Sequence, residues 1–476
     1  MTILVRGAEL DGTRRADVRI DGGVVTELAP ALDRRPGEAV LEAHGGALLP
    51  GLCDHHLHLH ALAAHGRSLP CGPSDVTTPA ALGAALSGAR ADEHGWIRGI
   101  GYHESVAGPL DMDILDRLHP GRPVRIQHRS GALWVVNGAG VAALGLTAGD
   151  HPGIERDTGG RPTGRLWRAD DWLRERLPRS RPPDLTETGE RLARLGITAV
   201  TDATPDLGQA AIDALTAGDL PQRVLLLGVP LGHGHAALTA SVVAQRGLPL
   251  GRGFPAGPHK IVLADSGLLA FDELAARIRA AHGENRAVAV HCVTREALVL
   301  LLAAFDETGT RPGDRIEHAA LVPAELLPRI AELRLRVVTQ PGFLAQRGDD
   351  YLRDLPPAEY PDLYRLRSLL EAGIPCTSSS DAPYGPLDPW AVLRAAADRR
   401  TASGRTVGTG ERIAVGEALA GYLSPPDDPG GPVRRVRPGT DADLVLLHEP
   451  LAEALRNPSA DLVGETLIGG TPVISD

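Results

Sequence analysis

Eight short apolar, β-branched runs recur along the chain with helical stretches between them, and this alternation restricts the fold more than any other feature. They are GLCDHHLHL (51–59), ITAVTDAT (197–204), RVLLLGVPL (223–231), KIVLADS (260–266), AVAVHCV (287–293), RIEHAAL (315–321), RVVTQPG (336–342) and PCTSSSD (375–381). The helical patterns at 271–283, 295–309 and 323–334 have Asp, Thr or Pro at or beside their starts, and several end at Gly. No GxGxxG follows the first run. Eight βα repeats therefore predict an α/β fold of the (β/α)8 TIM barrel type rather than an open doubly wound sheet.

The two ends of the chain read differently. Residues 1–50 and 433–476 are short apolar strands broken by turns, with Asp-Gly pairs at 11–12 and 21–22 marking hairpins. They are expected to pair into one small β-sandwich domain. The barrel is then residues 51–67 plus 187–432. The long stretch between its first and second strands is too long for a loop. We read 68–186 as an inserted α/β subdomain after the first strand, over the catalytic face.

Composition removes several classes of function. Sixty acidic against 49 basic side chains give a net charge of −11, which argues against nucleic acid and anionic membranes as partners and leaves a small-molecule substrate. Four cysteines (Cys53, Cys71, Cys292, Cys376) with no CxxC pair fit a reduced, cytoplasmic protein. The N-terminal pattern is not that of a signal peptide, and no apolar run reaches the length of a membrane span. A homodimer is the base-rate expectation for the assembly.

The chemistry concentrates in Asp54-His55-His56-Leu57-His58-Leu59-His60. On a strand, alternation puts His56, His58 and His60 on one face, where two imidazoles can share a divalent metal. Further donors close other runs: His291, His318 and Asp381 each stand at the carboxyl end of a predicted strand, where barrel enzymes keep their working groups. Nitrogen and oxygen donors of this kind suit zinc or a similar first-row ion. Of the 49 basic residues only Lys260 is lysine. A lysine can lose its proton on burial and act as a nucleophilic amine, which guanidinium cannot. One such use is reaction with carbon dioxide to a carbamate able to bridge two metal ions.

Together these segments resemble the metal-dependent amidohydrolase superfamily, and within it amidohydrolase family 3, the YtcJ-like and N-substituted formamide deformylase-like branch. LLPGLCDHHLHL, KIVLAD, RIEHA, SSSDAPYGPLDPW and PGTDADLVLLHEP match its signatures in order and spacing, and HRSGALWVVN with GRPTGRLWRAD resembles its inserted segment. The resemblance implies two divalent metal ions, most simply Zn2+, with His56 and His58 on one, His291, His318 and Asp381 on the other, and carbamylated Lys260 between them. It departs from the family at His55, at Thr294-Arg295 and in the loop ADSGLLAFDEL. These departures leave the metal constellation intact. The implied reaction is hydrolysis of a C–N bond (amide, N-formyl or N-acyl amine, cyclic imide) by a metal-bridging hydroxide, with Asp381 as general base and then acid. A mononuclear heteroaromatic deaminase and a metal-dependent lyase or decarboxylase on the same fold are the competing readings.

Candidate substrate contacts come from the strand-end loops and the inserted segment: His60, Tyr102, Trp134, Trp167, His233, His235, Arg295, Phe343 and Tyr384. In a chain with 3 % aromatic residues, these rings mark an apolar pocket or pack in the core.

Overall fold

The structure is a computed structural model that describes residues 2–73, 75–146, 151–178, 184–216, 220–232, 256–263 and 267–473. By contacts the chain divides into two compact units, Met1–Leu62 with Asp184–Asp476, and Ala63–Pro183.

In the larger unit all eight predicted runs carry a strand: β1 (Leu52–Leu57), β2 (Ile197–Asp202), β3 (Arg223–Leu226), β4 (His259–Val262), β5 (Val288–Cys292), β6 (Arg315–His318), β7 (Arg336–Thr339) and β8 (Cys376–Ser378). β3, β2 and β1 form one parallel sheet and β4 to β8 another, each strand beside its sequence neighbour. Backbone bonds also run between the sheets. The amide of Lys260 donates to the carbonyl of Leu227 at 3.1 Å, that of Asp381 to His56 at 2.8 Å, and that of His58 to Ala382 at 2.8 Å.

Helices follow the expected pattern. The one over Phe271–Gly283 buries Leu274, Ala275, Ile278 and Ala281, a single stripe at helical spacing. The next, Arg295–Thr308, starts at Thr294, whose hydroxyl accepts from the amide of Ala297, and buries Leu298, Leu301, Leu302 and Phe305. Each such side chain contributes roughly 1.5–3 kcal/mol on leaving water.

The termini pair as hairpins where the Asp-Gly turns predict. Ile3–Leu10 runs antiparallel to Arg14–Asp21, and that strand to Val24–Ala29. Asp11 and Gly12 take the left-handed conformation between the first two, at φ 52° and 73°. A second sheet joins Leu48–Pro50 to Leu444–Leu447 and Val463–Ile468. One hydrophobic cluster draws on both ends of the chain, including Ile3, Val18 and Ile20 with Leu444, Leu446 and Leu467.

The smaller unit is built on a six-stranded sheet in which Ile97–Tyr102 and Val124–His128 run parallel and Leu133–Val136 and Pro162–Trp167 antiparallel. It has hydrophobic clusters of its own on Ile97, Ile126 and Val135 and on Trp96, Trp134 and Leu166.

One expectation about the first strand is corrected. β1 ends at Leu57, not 59, and its pairing with β2 slips by one residue between Asp54 and Leu57. His60 lies in the helix Leu59–Gly66, which opens with the Leu59 amide donating to Asp202 Oδ2 at 2.7 Å. Strand alternation therefore does not carry as far as His60.

Candidate metal centre

β1 and β8 bring three donors together. His56, His58 and Asp381 each offer an atom lying within 4.8 Å of the others, the one such group among the described residues. His58 Nε2 is 3.2 Å from Asp381 Oδ1, and His56 Nε2 is 3.5 Å from it. Both His56 Nε2 and Asp381 Oδ1 are buried without a hydrogen-bond partner. An orphaned buried acceptor costs about 1–3 kcal/mol, so two pointing at each other need something between them. Two imidazole nitrogens and a carboxylate oxygen are the donor set of a first-row divalent ion, and the residues fit one.

The rest of the histidine row lies alongside. The His318 ring lies tilted 4.7 Å from His56 and edge-on 4.5 Å from His291, and His318 Nδ1 is 3.9 Å from Asp381 Oδ2. Register explains the neighbours: β5 and β6 pair Cys292 with His318, and β4 and β5 pair Val262 with His291 and Lys260 with Ala289. Three residues at the site hold left-handed backbone without being glycine, namely His318 (φ 71°), Ala319 (φ 45°) and Asp381 (φ 53°). Such conformations cost of order 1–3 kcal/mol each and cluster where a side chain must be aimed.

The Nδ1 atoms decide what the rings can do. His56 Nδ1 meets the carboxylate of Glu317, His318 Nδ1 meets the amide oxygen of Gln340 at 2.8 Å, and His58 Nδ1 meets the hydroxyl of Thr204 at 3.2 Å. Carboxylate and amide oxygens only accept, so His56 and His318 carry their proton on Nδ1 and keep the Nε2 lone pair for a ligand. Gln340 is oriented by its own nitrogen, which donates to Ser379 Oγ at 2.9 Å.

Burial pushes the imidazoles of His56 and His318 well below their ordinary range, so both stay neutral, as ligands must be. It also lowers Lys260, against the opposing charges of Glu317 and Asp381. Burial raises Asp381, yet the His58 imidazole, whose Nε2 lies 3.2 Å from Oδ1, outweighs it and holds the carboxyl well below the usual range.

The candidate substrate contacts scatter. Tyr384 stands beside the site, its ring 5.4 Å from His58. Phe343 is buried against Tyr364 with the Arg347 guanidinium over its ring. Arg295 pairs with Glu359 at 3.3 Å, and His60 Nε2 reaches the carbonyl of Ala211 at 3.3 Å. In the smaller unit, Tyr102 and Trp134 pack in its core, while Trp167 is exposed and donates to Glu155. His233 and His235 lie outside the described residues.

Sequence reasoning missed Glu317, Gln340, Thr204 and Asp202. For Glu317 a signal existed: Arg315 and Glu317 are opposite charges two apart in a run otherwise reading as a buried strand.

Comparison with known proteins follows the same lines. YtcJ of Bacillus subtilis (strain 168), named as an amidohydrolase, is 26 % identical over 440 residues, 82 % of this chain and 81 % of its own. The N-substituted formamide deformylase of Arthrobacter pascens is 24 % identical over 448 residues, 80 % of each chain. The crystal structure of an uncharacterized metal-dependent hydrolase from Pyrococcus furiosus shares the fold at a TM-score of 0.71 and 21 % identity, over 95 % of this chain and 100 % of that one. A Pyrococcus horikoshii OT3 counterpart does so at 0.73 and 18 %, over 99 % of each. With the family's sequence profile matching residues 39–474, which span β1 to β8, the chain belongs to the amidohydrolase family, enzymes that hydrolyse carbon–nitrogen bonds.

Proposed function

We propose that this enzyme hydrolyses an amide, N-formyl or N-acyl amine, cyclic imide or related C–N bond of a small molecule at the His56–His58–Asp381 centre. The observation that carries the reading is the convergence of His56 Nε2, buried and without a hydrogen-bond partner, and His58 Nε2 on Asp381 Oδ1, at 3.5 and 3.2 Å. Two divalent ions, most simply zinc, would be held by His56 and His58, by His291, His318 and Asp381, and by carbamylated Lys260 shared between them. When bound, such ions acidify water and polarise a carbonyl.

The chain's own groups supply the proton transfers. Asp381, held ionised beside His58, accepts the proton of the attacking water and returns it to the leaving nitrogen. Lys260, buried and therefore held towards the neutral amine, can attack carbon dioxide; its nitrogen forms the C–N bond and releases a proton. Tyr384 bounds the site on the His58 side.

In the same reading β1 to β8 close into a (β/α)8 barrel, supported by the Lys260–Leu227, Asp381–His56 and His58–Ala382 bonds between its two sheets. The terminal strands form a β-sandwich around their common cluster. The purified chain should contain two equivalents of metal and release an amine plus an acid from N-formyl or N-acyl substrates. One equivalent with ammonia released would support deamination, and carbon dioxide release a lyase. Lys260→Ala retaining two metals and full activity would sink the bridge.

A further inference from the structure

We propose that Glu317 is a positioning residue that sets His56 for metal binding, and that Arg315 in turn sets Glu317; the inference rests on the metal reading above. The three residues form a chain across two strands, and all are essentially excluded from solvent. The Glu317 carboxylate accepts a hydrogen bond from His56 Nδ1–H on Oε2. Its other oxygen, Oε1, accepts from Arg315 Nε at 2.5 Å, and Arg315 Nη2 donates to the backbone carbonyl of His55 at 3.3 Å. β6 thus grips β1 twice, once at the His56 ring and once at the peptide before it. The ring is left one orientation, with its Nε2 lone pair towards Asp381 Oδ1.

The three tethered histidines are not held alike. His318 has a neutral amide oxygen behind it and His58 a hydroxyl, whereas His56 has a carboxylate. A charged acceptor makes the hydrogen bond roughly twice as strong as a neutral one and raises the basicity of the imidazole at its far nitrogen. A full negative charge behind His56 therefore strengthens this ligand more than Gln340 strengthens His318 or Thr204 strengthens His58.

This arrangement assigns Arg315 a definite task. Its Nε holds Glu317 Oε1 while its Nη2 holds the His55 carbonyl, so the carboxylate is fixed with Oε2 towards His56 Nδ1. A guanidinium offers only donors, so it occupies Oε1 and leaves Oε2 for His56.

The test measures Zn2+ affinity by chelator competition, and the visible spectrum with Co2+, on the full chain. Removing Glu317 alone strands the buried Arg315, so the substitutions are made in pairs: R315M with E317M, and R315M with E317Q. Thermal melts of the metal-free variants verify that they fold. The E317M pair should bind Zn2+ about 10–100-fold more weakly than wild type and shift the Co2+ band. The E317Q pair should recover part of that loss, because glutamine still offers an oxygen to the Nδ1 proton. Affinity equal to wild type in the E317M pair, or equal weakness in both pairs, overturns the inference. H56A is the control: if it holds Zn2+ as tightly as wild type, the metal reading itself fails, and the inference with it.

Discussion

Two clusters in this molecule have nearly the same composition and opposite capacities. His56, His58 and Asp381 meet at the ends of β1 and β8; His103, His128 and Glu104 meet in the smaller unit, where His128 Nε2 lies 3.1 Å and His103 Nε2 3.9 Å from the Glu104 carboxylate. In the second cluster each histidine opens a His-x-Ser segment, and its Nδ1 accepts from the serine backbone amide, Ser105 at 3.3 Å and Ser130 at 3.1 Å. That bond takes the Nδ1 lone pair, so the neutral ring keeps its proton on Nε2, the atom facing Glu104. In the first cluster Nδ1 donates, at least for His56, and Nε2 is bare. Two histidines and a carboxylate are thus not in themselves a metal site. What stands behind each ring decides.

The comparison can be broken at its strong end first. Asp381→Asn should lower turnover about 10²–10⁴-fold while the fold persists, because a general base and acid is lost. Steady-state rates on an N-formyl or N-acyl substrate read this directly, and an undiminished rate would remove Asp381 from the chemistry.

Acid should then separate buried from exposed histidine. Burial pushes the neighbouring His55 down to about 3, so between that value and the ordinary value near 6.5 the unfolded chain binds a proton that the folded chain refuses. Stability must fall as pH falls through this window, by about 1.4 kcal/mol per pH unit for one such group. His56 and His318 act in the same direction in the metal-free chain. Asp54, pushed up to about 6 by burial, has the opposite sign: its contribution is present at low pH and lost as pH rises through 6. Urea midpoints of the metal-free protein from pH 7 to 5 should therefore fall, and fall less in His55→Leu. An unchanged slope in that variant would show that another group carries the dependence.

Smaller effects follow from the hydroxyl and from the second cluster. Thr204→Val removes the partner of His58 Nδ1 and should weaken Zn2+ binding about 2–10-fold, the worth of one neutral hydrogen bond. His103→Ala with His128→Ala should leave Zn2+ affinity within about twofold and cost under about 1 kcal/mol, as exposed ion pairs do. A clear loss of zinc there would erase the contrast between the clusters.

Much of the fold was legible without coordinates. Strands such as VAVHC are buried along nearly their whole length and read as near-continuous apolar runs; the hairpin at Asp11-Gly12 follows from the left-handed turn those residues accept, and the second turns at Gly22-Gly23, one residue past the Asp21-Gly22 pair. His60 was misplaced because period-2 reasoning has no means of knowing where a strand stops; the Asp202 carboxylate, 143 positions from Leu59 in sequence, starts the helix that takes it. For Tyr102 and Trp134 the sequence left a pocket wall and core packing open, because burial leaves no mark on the residue itself; both pack in clusters of the smaller unit.

From sequence come the inventory and its order: eight strand segments, donors at the ends of several, and one lysine among 49 basic residues. Those follow from local chemistry, since β-branched runs, turn residues and residue types are properties of neighbouring positions. The tertiary structure alone decided which nitrogen of each histidine is free. That depends on Glu317 reaching His56 across 261 positions and Gln340 reaching His318 from the next strand. A proton sits where its acceptor is, and the acceptors here are supplied by strand pairing and register, which no local pattern encodes.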